Sequence, residues 1–279
     1  MNQLTPACVP APSGLVSWWR AEGNGSDSAG ANNGLLQGGV TFAAGEVGQA
    51  FSFDGPGNTV QVPASASLDV GQGNGMTIEA WINPAKTTTD PIADWSPNGA
   101  YGVIFWANQG SPGTLYADLV DTGGAHHLIQ SAGGLIVTNV FQHVAVTYDK
   151  ASGVARLFVN GAVVQQAGLG SFTPQTSYAL NIGYILPGAP FGPVDYKGQI
   201  DELSLYSRAL ATNEIAALYS AGSVGKCVVP VAPFIVSQPA NQTVTVGGTA
   251  TFTVGAGGHT ATELPVELQR NERYRGGDE

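Results

Sequence analysis

Between Phe141 and Gln166 three apolar runs rich in β-branched and aromatic residues are separated by the polar loop Lys150-Ala-Ser-Gly153 and by Asn160-Gly161. Asn-Gly suits the positive φ angles of a type I′ hairpin turn, so the stretch predicts a three-stranded antiparallel meander. A turn with two central residues puts Val159 opposite Ala162, Leu157 opposite Val164 and Arg156 opposite Gln165. Leu157, Val159, Ala162 and Val164 then share one face, and Arg156, Phe158, Val163 and Gln165 the other. That division predicts a sheet with one apolar side on a core.

The same period of two recurs along the chain. Strands are predicted over 14–20, 35–36, 40–42, 50–54, 59–62, 76–84, 101–106, 114–120, 126–130, 177–184 and 198–206, with Gly-rich turns between them. Lys86–Ala100 reads as a long loop, and Leu186–Val194 as a Pro/Gly-rich one. One helix is predicted over 213–219, with Thr212 as N-cap, Glu214 in the first turn and Gly222 as its stop. Many short strands with one late helix point to an all-β fold, a two-sheet antiparallel jelly-roll sandwich with one short C-terminal helix.

Composition narrows the class. Charged residues make up 11% of the 279 positions and glycines number 39, which fits a turn-rich chain with a neutral polar surface. The net charge of −10, with only 10 Lys and Arg, argues against nucleic acid as partner. No apolar run is long enough for membrane insertion, and the first residues show neither the basic nor the apolar region of a signal peptide. Cys8 precedes the first strand and Cys227 follows the helix. The first and last strands of a sandwich are commonly neighbours, so a Cys8–Cys227 disulfide would join the two ends and imply an oxidising compartment. The alternative is two unrelated small apolar residues.

The ordered set Gly14-Leu-Val-Ser-Trp-Trp19, Asp27-Ser-Ala-Gly30 with Asn33-Gly34, Gly48-Gln-Ala-Phe-Ser-Phe-Asp-Gly55, Met76-Thr-Ile-Glu-Ala-Trp-Ile82, Phe141–Asp149, Leu157-Phe-Val-Asn-Gly161 and Ile200–Leu210 resembles the laminin-G-like, concanavalin A-like jelly-roll domains of bacterial secreted and surface proteins. The resemblance implies a jelly-roll domain over 14–226, behind an N-terminal segment 1–13. Residues 227–258 resemble a linker and the opening strands of a bacterial immunoglobulin-like domain, and 259–279 read as a charged, disordered tail.

By alternation Asp201 shares a face with Leu203 and Leu205, and a coreward carboxylate needs donors or a cation. The resemblance suggests a structural calcium ion where the first loop meets the last strand, held by Asp27, Asn33 and Asp201 with Asn32 and nearby carbonyls. The alternative is that Asp27 and Asn33 shape turns and Asp201 bonds backbone N–H groups. Asp54 and Asn58 flank a second turn where related lectin folds place a ligand-linked ion. For a glycan, Trp95 and Tyr101 are the candidate stacking residues, with Asp90, Asp94 and Asn98 nearby, while Trp18, Trp19 and Trp81 read as core. No Glu-x-Asp-x-Glu triplet and no Gly-x-Ser-x-Gly elbow occurs, so catalysis is not expected. His143 reads as structural. The expectation is therefore a secreted or surface-displayed, monomeric, non-catalytic module of a longer chain that binds a glycan or another extracellular ligand. Its rivals are a purely structural spacer and, more remotely, a glycoside hydrolase.

Overall fold

Period-two patterning is realised as two facing antiparallel sheets. The computed structural model describes residues 8–227 and, beyond them, two further strands. The strands are β1 Leu15–Trp19, β2 Leu35–Gln37, β3 Thr41–Ala44, β4 Gln49–Phe53, β5 Thr59–Val62, β6 Gly75–Pro84, β7 Asp90–Asp94, β8 Ile104–Ala107, β9 Leu115–Asp118 and β10 Leu128–Gln130. There follow β11 Gln142–Asp149, β12 Val154–Val159, β13 Ala162–Gly168, β14 Leu180–Ile182, β15 Tyr184–Ile185, β16 Val194–Asp195, β17 Gly198–Tyr206 and the helix α1 Thr212–Ala221. One sheet runs β13-β12-β11-β6-β17-β4-β3 with β1 on β17, and the other β10-β9-β8-β7-β14-β5-β2. The core between them holds Trp19, Phe51, Phe53, Ile78, Phe105, Leu157, Ile182 and Leu203.

The meander forms with Asn160 and Gly161 at φ 49° and 77°, as the turn requires. Its register departs from expectation beyond the first pairs. Val159 faces Ala162, but a bulge at Leu157–Phe158 puts Leu157 opposite Gln165 and Arg156 opposite Gln166. Leu157, Val159 and Val164 still face the core. Phe158 is also buried, because α1 covers the outer face there with Ile215 and Leu218 against Ala145, Phe158 and Tyr206. The helix begins one residue earlier than expected. Ala211 is its cap position, and the backbone N–H of Ala211 donates to Glu214 Oε2 at 2.8 Å.

The 86–100 segment is not one loop. Asp90–Asp94 is a central strand, disguised by an acid at either end. Its Ile92 and Ala93 are in the core, and both aspartates are buried.

The ends of the fold meet. The Val9 N–H donates to the Gly225 carbonyl at 3.0 Å, the Cys227 N–H to the Val9 carbonyl at 2.8 Å, and Cys8 and Cys227 form a disulfide. The chain divides into units Met1–Cys227 and Val228–Glu279. In the second, β18 Val231–Ser237 pairs antiparallel with β19 Gly255–His259. Most of the residues behind the immunoglobulin-like and tail readings of 227–279, and residues 1–7, lie outside the described residues.

Candidate functional site

Asp54 begins the turn between β4 and β5, and Asn58 builds that turn. Asn58 Oδ1 accepts the N–H groups of Asp54 at 3.0 Å and Gly55 at 2.9 Å, while its Nδ2 donates to the Gly38 carbonyl. Asn58 is therefore buried as a brace, which corrects the expectation that it contacts ligand. Asp54 instead points to solvent at the edge of a cavity of about 240 Å³ lined by Asp54, Pro56, Lys86, Asp195, Tyr196 and Lys197.

Strand pairing assembles this cavity. Gly198 of β17 faces both Phe53 of β4 and Pro84 of β6, so the segments just beyond those residues, with Asp54, Lys86 and Lys197, come to one end of the sheet. Asp195 Oδ1 accepts the Gly57 N–H at 2.6 Å, joining β16 to the Asp54 turn. Lys86 Nζ donates to the carbonyls of Thr89 at 2.7 Å and Asp195 at 2.6 Å, and lies 3.4 Å from Asp90 Oδ1. Buried Tyr196 forms the floor, its ring 5.7 Å from Phe53 and its hydroxyl donating to the Gln199 carbonyl at 3.1 Å. Burial raises the Asp90 carboxyl to about 6 despite Lys86 and Asn108 beside it. The result is a fixed frame presenting carboxylate oxygens of Asp54 and Asp195 and the exposed ammonium of Lys197. Lys86, Asp195 and Lys197 were missed in the sequence because only non-local pairing of β6 with β17 joins them.

The other expected ligand residues lie elsewhere. Trp95 is 0% exposed and belongs to the core, so it offers no face to a ligand. Asp94 before it points outward, its Oδ1 accepting the Ser96 N–H at 2.6 Å and its Oδ2 the Trp106 indole at 3.2 Å; Trp95 therefore points in. Tyr101 sits on the outer face of the seven-stranded sheet, its ring 4.6 Å from His126 and 5.4 Å from Phe191.

Asp27 and Asn33 shape the first loop. Asp27 Oδ1 accepts the N–H groups of Trp18 at 2.9 Å and Ala29 at 3.0 Å, and its Oδ2 that of Asn32 at 3.1 Å. Asn33 Oδ1 accepts the Asp27 N–H at 2.9 Å. Asp201 faces away from the core, a correction caused by a bulge after it: Ile200, Leu203 and Leu205 point inward, with Glu202 at φ 58° absorbing the extra residue. Its Oδ2 accepts the Val47 N–H at 2.9 Å in the β3–β4 turn, and burial raises its carboxyl to about 8. Asp201 shares no hydrogen-bond partner with Asp27 and Asn33, and among the described residues no group of three or more His, Cys, Asp and Glu side chains is gathered for a metal.

Along the outer face of the eight-stranded sheet, Asp201, Trp81 and His143 form one cross-strand row. Next to it Lys226 Nζ lies 3.0 Å from Glu79 Oε1 and 3.3 Å from Glu202 Oε2, and His143 Nε2 lies 3.1 Å from Glu79 Oε2, all buried. Burial alone would raise the Glu79 carboxyl, but Lys226 and His143 hold it at about 2.

Solved structures with this architecture include domain 4 of AbnA, a GH43 extracellular arabinanase from Geobacillus stearothermophilus, in complex with arabinotriose. It is 20% identical, with TM-score 0.55, over 72% of this chain and 96% of that one. The binding domain of Paraclostridial Mosquitocidal Protein 1 matches at 18% identity and TM-score 0.58, over 74% of this chain and 52% of its own. The binding domain of botulinum neurotoxin serotype G matches at 14% and 0.57, over 74% and 50%. This chain thus spans about half of either toxin domain. A search of curated proteins finds no match. The sequence pattern of a family described as the concanavalin A-like lectin/glucanases superfamily matches residues 54–216, more than half of the chain, and the chain belongs to that family.

Proposed function

We propose that this chain is a non-catalytic, extracellular carbohydrate-binding module whose ligand occupies the cavity beside Asp54. The observation that carries the reading is the convergence there of two carboxylates and an exposed ammonium on a hydrogen-bonded frame, in a chain with only 10 Lys and Arg. Adjacent hydroxyls of a sugar ring can donate to Asp54 and Asp195 while another accepts from Lys197, and Pro56 gives the rim an apolar edge. The arabinotriose complex of the related fold supports a saccharide as ligand. The disulfide suits an oxidising, extracellular setting.

The test is a glycan array followed by calorimetric titration of the best ligand, with arabinotriose included. Asp54→Ala and Lys197→Met should each weaken binding by about tenfold or more with the unfolding temperature unchanged. An array without signal would favour the spacer reading.

A further inference from the structure

A second cleft, sharing no residue with the first, opens on the outer face of the eight-stranded sheet. It has a volume of about 480 Å³, within the range of small-molecule sites, and is walled by Trp81, Phe141, Tyr219, Asn160, Glu46 and Ser220. Trp81, although only 6% exposed, is packed in none of the hydrophobic cores, and its neighbours Ala80 and Ile82 point the other way. Its ring meets the edge of His143 at 5.4 Å and lies 5.7 Å from the ring of Tyr219, which is 37% exposed.

The polar walls are held as firmly. Asn160 Oδ1 accepts the His143 N–H at 3.0 Å, which leaves the Asn160 amide N–H₂ as the donor toward the cleft. Asp201 holds the β3–β4 turn by the Val47 N–H, and Glu46 on that turn supplies a carboxylate. Gly161 rests against α1: a Cβ there would stand 3.0 Å from Tyr219 Cδ1, so the missing side chain lets the turn and the helix close on each other.

We propose that this cleft binds a neutral saccharide, laying the C–H face of one ring on Tyr219, which Trp81 backs, and its hydroxyls against Asn160 Nδ2 and Glu46. The chemistry selects this class. An aromatic wall takes an apolar face, and the amide and carboxylate take hydroxyls. None of the lining residues is cationic, and Lys226, beside Glu79 on the same face of the sheet, is paired with Glu79 and Glu202, so acidic sugars and phosphates are disfavoured.

The inference stands apart from the Asp54 cavity, and calorimetric titrations separate the two. Arabinotriose, cellotriose and chitotriose are titrated into the whole chain and its variants. With the first cavity disabled by Asp54→Ala, adding Tyr219→Ala should weaken the remaining binding of at least one of them by about tenfold, and adding Tyr219→Phe should retain it. Ser220→Arg, at an exposed helix position, should block the cleft equally and serves if Tyr219→Ala lowers the unfolding temperature. Binding that survives both Tyr219→Ala and Ser220→Arg overturns the proposal. If no binding remains in the Asp54→Ala chain itself, the first cavity stands alone and the proposal falls. No binding by the unaltered chain overturns the proposal outright.

Discussion

Lys226 is the counterion of two buried carboxylates, Glu79 and Glu202, and it stands next to the disulfide residue Cys227. Removing its charge leaves both acids in a low-dielectric setting with only His143 and Arg20 near. Lys226→Met should therefore cost about 3–5 kcal/mol of stability, read from urea midpoints, and Glu79→Gln in the same chain should restore part of it. A loss below about 1 kcal/mol would mean that the acids take up protons at no cost. The aromatic residues show how narrowly a single position can mislead. Trp95 sits in a polar stretch yet is core, and Trp81 sits in an apolar strand yet walls a cleft. Local polarity around an indole reports its strand neighbours; which face the indole takes is set by alternation from the residues before and after.

At the scale of elements, the β12–β13 turn and α1 form one packed unit. Gly161→Ala would place a Cβ at positive φ and against Tyr219. It should destabilise the fold by about 1–2 kcal/mol and shift the Tyr219 aromatic resonances in NMR spectra. The meander was readable because Asn-Gly fixes its own geometry. The bulges at Leu157–Phe158 and after Asp201 were not, since each inserts a residue without any sequence marker such as Gly or Pro. The second of these turned Asp201 outward, toward the Val47 N–H of the β3–β4 turn. Strand β7 was hidden for a related reason: Asp90 and Asp94 are buried against Asn108 and Lys197 and against Ser96 and Trp106 rather than solvated, partners that period-two reading cannot foresee. Of the first cavity, Asp54 was legible because it opens a Gly/Pro turn, while Lys86, Asp195 and Lys197 depend on pairings between distant segments.

For the whole molecule, buried acids set the response to pH. Burial raises Asp201 to about 8, Asp94 to about 7 and Asp90 to about 6 from an ordinary 3.8, so between about pH 4 and 8 the folded chain holds protons that the unfolded chain has released. Stability should fall as pH rises through that window. Glu79 acts in the opposite sense: held at about 2 against an ordinary 4.5, it adds stability that is present above pH 4.5 and lost on acidification toward 2. Unfolding temperature should therefore peak near pH 4, and one that kept climbing to pH 7 would contradict the placement of Asp90, Asp94 and Asp201. The bond between Cys8 and Cys227 bears on mechanics as well. Their Cα atoms are 4.8 Å apart although 219 positions separate them in sequence. Tension applied to the chain outside those two residues would pass through one covalent link of that width, so both sheets and both clefts would stay unstretched while the two ends are pulled.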